Sequence, residues 1–139
     1  MLGCRAALPL LRRSPAGAIV NVSSYAARSA APAACAYASS KAALCSFSRS
    51  LALHCAEQRY AIRCNCVLPG AIRTPMWDAY LGAGPQRAAR ERQVACGVPL
   101  GRFGETQEVA AAIAFLAADE ASFITGAELM IDGGQSARG

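Results

Sequence analysis

The stretch Ile62 to Leu68 constrains the fold of this chain more than any other. Ile62, Cys64, Cys66 and Leu68 alternate along it with the two-residue period of a strand, and Ala61 and Val67 make it apolar on both faces. A strand of that kind borders water on neither side, so it belongs in a parallel sheet covered by helices. A shorter apolar run, Ala18 to Val22, precedes it, and Leu129-Met130-Ile131 follows near the end. Between the first two runs, a helix-forming segment from about Cys35 to Arg59 carries Leu44, Phe47, Leu51 and Cys55 as an apolar stripe for the sheet. Before the last, Val109, Ala112, Ile113, Leu116 and Ala117 give another helix one apolar face. Thr106 is its expected N-cap, with Glu105 and Glu108 beside the positive helix end. This order of elements predicts an α/β fold with helices on a parallel sheet.

With 139 residues and 54% hydrophobic composition, one globular domain is expected over 1–139. No apolar run approaches the ~20 residues of a membrane span, which predicts a soluble protein. The formal charge is +5, but the basic residues are scattered and form no stripe interleaved with aromatics, which argues against nucleic acid as a partner. Residues 1–17 hold three Arg and no acid, the composition of a mitochondrial presequence. The same residues also read as the end of an amphipathic helix closed by Ser14-Pro15-Ala16-Gly17, and that reading is preferred. Seven Cys is an odd number without framework spacing, which points to buried thiols in a reducing, cytoplasmic compartment. With His54 the only histidine, no metal site is expected on Cys64 and Cys66.

Tyr37 and Lys41 stand four residues apart at the start of the long helix, so phenol and ammonium project from one face. A free phenol titrates near ~10, and a neighbouring cation favours the phenolate and brings its proton closer to exchange at neutral pH. Ser24 closes the first strand thirteen residues before Tyr37. Asn65-Cys66-Val67-Leu68-Pro69-Gly70-Ala71-Ile72-Arg73-Thr74 ends the second strand, and Asp132-Gly133-Gly134 ends the third. In this order and spacing, the motifs closely resemble those of the short-chain dehydrogenase/reductase family: Ser, then Tyr-x-x-x-Lys, then Asn-x-x-x-Pro-Gly-x-x-x-Thr, then Asp-Gly-Gly.

The resemblance runs from Met1 to about Gly134 and covers the C-terminal half of the family's fold, three strands with flanking helices of a Rossmann-like doubly wound parallel sheet. It implies an oxidoreductase interconverting an alcohol and a ketone or aldehyde by hydride transfer with NAD or NADP. Tyr37 would be the acid-base group. Lys41 would assist it and bond the nicotinamide ribose. Ser24 would hydrogen-bond the substrate oxygen, the thirteen-residue spacing selecting it over Ser23. Pro69 and Gly70 would approach the cofactor, with Ile72 and Thr74 holding the carboxamide. Residues 76–100 would form a substrate lid, in which Met76, Trp77, Tyr80 and Leu81 suggest an apolar alcohol or ketone.

The family's glycine-rich pyrophosphate turn after a strand has no counterpart in this sequence. The expectation is therefore a truncated chain whose serine strand exposes an apolar edge, and which is unstable or self-associating alone. The full-length form would be a dimer or tetramer. The alternative is an inactive remnant that serves as an oligomerising module through the Ser/Ala-rich helix and the last strand.

Overall fold

The computed structural model describes residues 1–30 and 32–138. Strands β1 (Gly17–Val22), β2 (Ile62–Pro69) and β3 (Glu128–Ile131) form one parallel sheet in that order. Ile19 pairs with Cys64, and Leu68 with Met130. Helices α1 (Leu2–Leu11) and α2 (Cys35–Glu57) cover one face, and α5 (Thr106–Ala117) covers the other. Between β2 and α5 run the single-turn α3 (Asp78–Leu81) and the charged α4 (Arg87–Cys96). Among the described residues, no helix is long and apolar enough to cross a membrane.

The face that α2 turns to the sheet keeps Cys55 of the predicted stripe and otherwise differs from it. Its buried residues are Cys45, Ser48, Ala52 and Cys55, whereas Leu44, Phe47 and Leu51 are half-buried on the flank. Small side chains let the helix axis approach the strands closely, and the bulkier ones fall to the side where α1 lies. There Cys4, Leu8 and Leu11 of α1 join Leu51 and Tyr60 around Ile19, Ala52, Cys55, Ile62 and Cys64. Burial pushes the Cys64 thiol up to about 12, so it serves as a small apolar filler rather than a nucleophile.

Only one face of β2 is wholly apolar. On the other, Arg63 and Asn65 are structural ties that periodicity alone does not show. Arg63 donates from Nη1 to the Leu116 carbonyl at 2.8 Å and from Nη2 to the Ala118 carbonyl at 3.0 Å. A guanidinium thus satisfies the open carbonyls and negative pole at the C-terminus of α5. Asn65, 1% exposed, donates to the Ile124 carbonyl at 2.8 Å and accepts from the Ala127 amide at 3.0 Å, fixing the segment that leads into β3.

The N-cap of α5 is Glu105, not Thr106, which is the first helical residue. Glu105 has the extended backbone of a cap (φ −101°, ψ 154°), and the Glu108 carboxylate accepts its amide proton at 2.7 Å. Arg102 grips the same carboxylate through two nitrogens at 2.7 and 2.8 Å. The guanidinium and the backbone amide together hold the Glu108 carboxyl at about 2, below its ordinary 4.5. Because the folded value is the lower one, the stabilisation is complete above the unfolded value and drains away as pH falls through about 2. Thermal melts of the chain and of Glu108→Gln should therefore differ by a constant amount at neutral pH and converge in acid. A difference that persists unchanged at the acid end would contradict this account.

Candidate active site

Parallel strands end at one margin of a sheet, so the segments leaving β1 and β2 open onto a common crevice. Ser23 and Ser24 follow β1, Pro69 to Thr74 follow β2, and the first turns of α2 bring Tyr37 and Lys41 to the same place. A cavity of about 340 Å³ is lined there by Ser24, Tyr37, Lys41, Pro69, Gly70, Ile72 and Thr74 together. These are the seven catalytic and cofactor positions singled out from the sequence.

The two serines are separated by their environments. Ser23 is buried and its hydroxyl donates to the Lys41 carbonyl at 2.8 Å, clamping α2 to the end of β1. Ser24 is half-buried, and its oxygen accepts from the Ala26 amide at 3.2 Å. Its hydroxyl proton is available to a ligand in the cavity. The Lys41 ammonium donates to the Val22 carbonyl at 3.1 Å and lies 5.6 Å from the centre of the Tyr37 ring. An ammonium has three donors, so two remain for other partners. Tyr37 itself is 39% exposed and faces this space.

The predicted lid residues divide. Met76 and Trp77 line the cavity, and Trp77 packs edge-to-face on Phe103 with centroids 5.3 Å apart. The helical turn Asp78–Leu81 carries the next side chains around its axis, so Leu81 is buried and Tyr80 turns to solvent. Tyr80 touches Trp77 edge-on at 5.9 Å, but neither it nor Leu81 lines the cavity. The far wall comes from α5, whose Thr106, Val109, Ala110 and Ile113 sequence reasoning missed. Their three- and four-residue spacing was a legible stripe, but which crevice it faced was not.

Further contacts fix the frame. Arg28, in the segment after Ser24, and Arg49 of α2 both pair with Glu128 at the start of β3. Arg73, between Ile72 and Thr74, binds Glu91 of α4 at 2.9 Å and Glu105 at 3.3 Å and lies over the Phe103 ring. Arg28 and Arg49 thus tie their segments to β3, and Arg73 ties the turn after β2 to α4 and to the N-cap of α5. The cavity thus sets a cationic and a phenolic side chain beside an apolar wall at Ile72 and the Thr74 hydroxyl.

Over residues 1–136 the chain matches a family model described as Enoyl-(Acyl carrier protein) reductase. The chain belongs to the short-chain dehydrogenase/reductase family. It is 42% identical over 131 residues to the L-fucose dehydrogenase of Oryctolagus cuniculus, across 94% of this chain and 45% of that one. It is 43% identical over 136 residues to the cyclopentanol dehydrogenase of a Comamonas species, across 98% of this chain and 52% of the relative. The ligand-free aldohexose dehydrogenase of Thermoplasma acidophilum superposes with a TM-score of 0.89 at 38% identity, over 98% of this chain and 54% of that structure. This member of the family thus spans about half the length of the curated relatives it matches. The three-strand parallel sheet with flanking helices is the C-terminal half of their fold.

Proposed function

We propose that the protein carrying this chain is an NAD- or NADP-dependent oxidoreductase that interconverts a small-molecule alcohol with a ketone or aldehyde. The observation that carries this reading is the convergence of Ser24, Tyr37 and Lys41 on one cavity with Pro69, Gly70, Ile72 and Thr74. When bound, the cofactor would accept hydride from the alcohol carbon, or return it in reduction. Tyr37 takes the hydroxyl proton as the alcohol is oxidised and gives it back when the carbonyl is reduced. The Lys41 ammonium compensates the negative charge left on the phenol oxygen, and its remaining donors suit the ribose hydroxyls. Ser24 donates to the substrate oxygen and stabilises the charge that builds there. A homo-oligomeric working form belongs to the same reading, and the exposed Leu53, Phe115 and Phe123 support it.

The test is formation of reduced cofactor from a panel of alcohols with NAD and with NADP, in the native protein that carries this sequence. Turnover with one cofactor is the expected result, and none with either across the panel would overturn the reading. Ser24→Ala should then lower kcat by about 100-fold or more, the usual effect of removing one such donor. Ser23→Ala should instead cost about 1 kcal/mol of stability, the net value of its hydrogen bond to Lys41, with kcat little changed. Equal kcat losses in both would contradict the assignment of Ser24.

A further inference from the structure

We infer that the substrate is a compact apolar secondary alcohol or its ketone, not a polyhydroxylated sugar, and that Trp77 and Ile113 select it. This rests on the reading above and concerns what surrounds the reacting carbon. Beyond Ser24 and Tyr37, the cavity is walled by Met76, Trp77, Val109, Ala110 and Ile113, with Thr106 the one hydroxyl among them. Among the described residues lining the cavity there is no carboxylate, no side-chain amide and no guanidinium. Those are the groups whose paired donors and acceptors recognise vicinal hydroxyls.

The donor protons of the polar groups that are present are already engaged. The Ser23 hydroxyl donates to the Lys41 carbonyl, and the Thr106 hydroxyl donates to the Gln107 side chain at 3.0 Å. Lys41 holds the Val22 carbonyl, with its other donors directed to the ribose in the proposed function. Thr74 is given there to the carboxamide, and Ser24 and Tyr37 to the one oxygen that reacts. A hexose would bring several further hydroxyls into this cavity and set most of them against indole and alkyl groups. A cycloalkanol brings a single hydroxyl and a hydrocarbon ring that the same wall covers. Within this wall Trp77 is held in place. Trp77 stands edge-on to Phe103, which is 4% exposed, and Arg73 packs over the other ring from the α4 side.

The experiment compares kcat/KM for cyclopentanol and for L-fucose in the native protein, with the preferred nicotinamide cofactor saturating. Cyclopentanol should exceed the hexose by about 100-fold or more, the discrimination that an apolar pocket achieves against added hydroxyls. Trp77→Ala should raise KM for cyclopentanol by about tenfold with kcat nearly kept, as expected when binding rather than chemistry is weakened. Ile113→Thr exchanges an apolar arm for a hydroxyl on a half-buried position, and should narrow the ratio between the two alcohols without loss of folding. A hexose used as well as cyclopentanol would overturn the inference while leaving the oxidoreductase reading standing. So would an unchanged cyclopentanol KM in both variants, with melting curves showing that they fold. Absence of turnover with every alcohol would instead remove the oxidoreductase reading, and this inference with it.

Discussion

Tyr37→Phe should lower kcat by about 100- to 10,000-fold, the range expected when a positioned acid-base group is removed. The substitution takes away one oxygen and its proton and nothing else. The ring stays at the start of α2, where Lys41 approaches its face to 5.6 Å, and the hydroxyl faces the open cavity rather than the core. Tyr37 is 39% exposed, so the fold gains little from its polar end, and the melting temperature should move by no more than a degree or two. Cofactor affinity should hold within a few-fold, because Lys41, Ile72 and Thr74 remain. The pairing of lost kcat with a kept fold and a kept cofactor site separates a chemical role from a structural one. Steady-state kinetics together with cofactor titration reads both. A variant that keeps kcat within a factor of five would remove Tyr37 from the chemistry, and with it the main support for the proposed function.

The parts of this site visible in the sequence are those where chemistry forces both residue type and spacing. In the proposed function Tyr37 and Lys41 share a helix face and Ser24 stands where β1 ends, so a linear pattern records a spatial one. The sheet was legible for a similar reason, since strands buried by helices read as apolar runs. What stayed hidden depends on how elements meet. The stripe Leu44–Phe47–Leu51 is apolar and helical in period, yet the sheet takes Cys45, Ser48 and Ala52, because close approach selects small volume over hydrophobicity. Arg63 and Asn65 interrupt the apolar pattern of β2 to serve carbonyls and amides of segments more than fifty residues away. Val109 and Ile113 belong to the one apolar face legible on α5, and that pattern does not tell that they also line the cavity. Tyr80 and Leu81 stand near Trp77 in the sequence, and one helical turn keeps both off the cavity although Tyr80 still meets Trp77 edge-on. Each miss is a tertiary relation that local periodicity does not encode.

Gly70→Ala is expected to damage both the fold and the site, for a reason that lies in backbone proximity. A Cβ on Gly70 would collide with the Gln135 side-chain oxygen and sit 2.8 Å from both Cα and Cβ of Asp132. Gln135 could swing away, at the loss of its hydrogen bond from the Ala71 amide at 3.2 Å. Asp132 is far less free to move. It is 8% exposed, and its two carboxylate oxygens accept from the Gly134 amide at 3.0 Å and the Ser136 amide at 2.8 Å. Burial pushes its carboxyl pKa up, but the hydrogen bonds from Ser136 and Gly134 outweigh that and hold it below the ordinary carboxylate value. The Gly70 amide also donates to the Ile131 carbonyl at 3.0 Å, so the end of β2 and the end of β3 are locked at this separation. The new methyl must push them apart, at a cost of about 1–3 kcal/mol. That corresponds to a fall in melting temperature on the order of 5–10 °C for a chain of this length. The same displacement moves Pro69 and Gly70 in the cavity wall, so kcat/KM should fall by more than the loss of folded protein accounts for. Gly3→Ala is the matched control, because a Cβ there meets nothing within 4 Å and Gly3 lies inside α1, where Ala is the better helix former. It should leave activity alone and hold or slightly raise the melting temperature. If Gly70→Ala melts with Gly3→Ala and retains wild-type kcat/KM, the two strand ends are not held in contact, and the cavity they frame is not the working site.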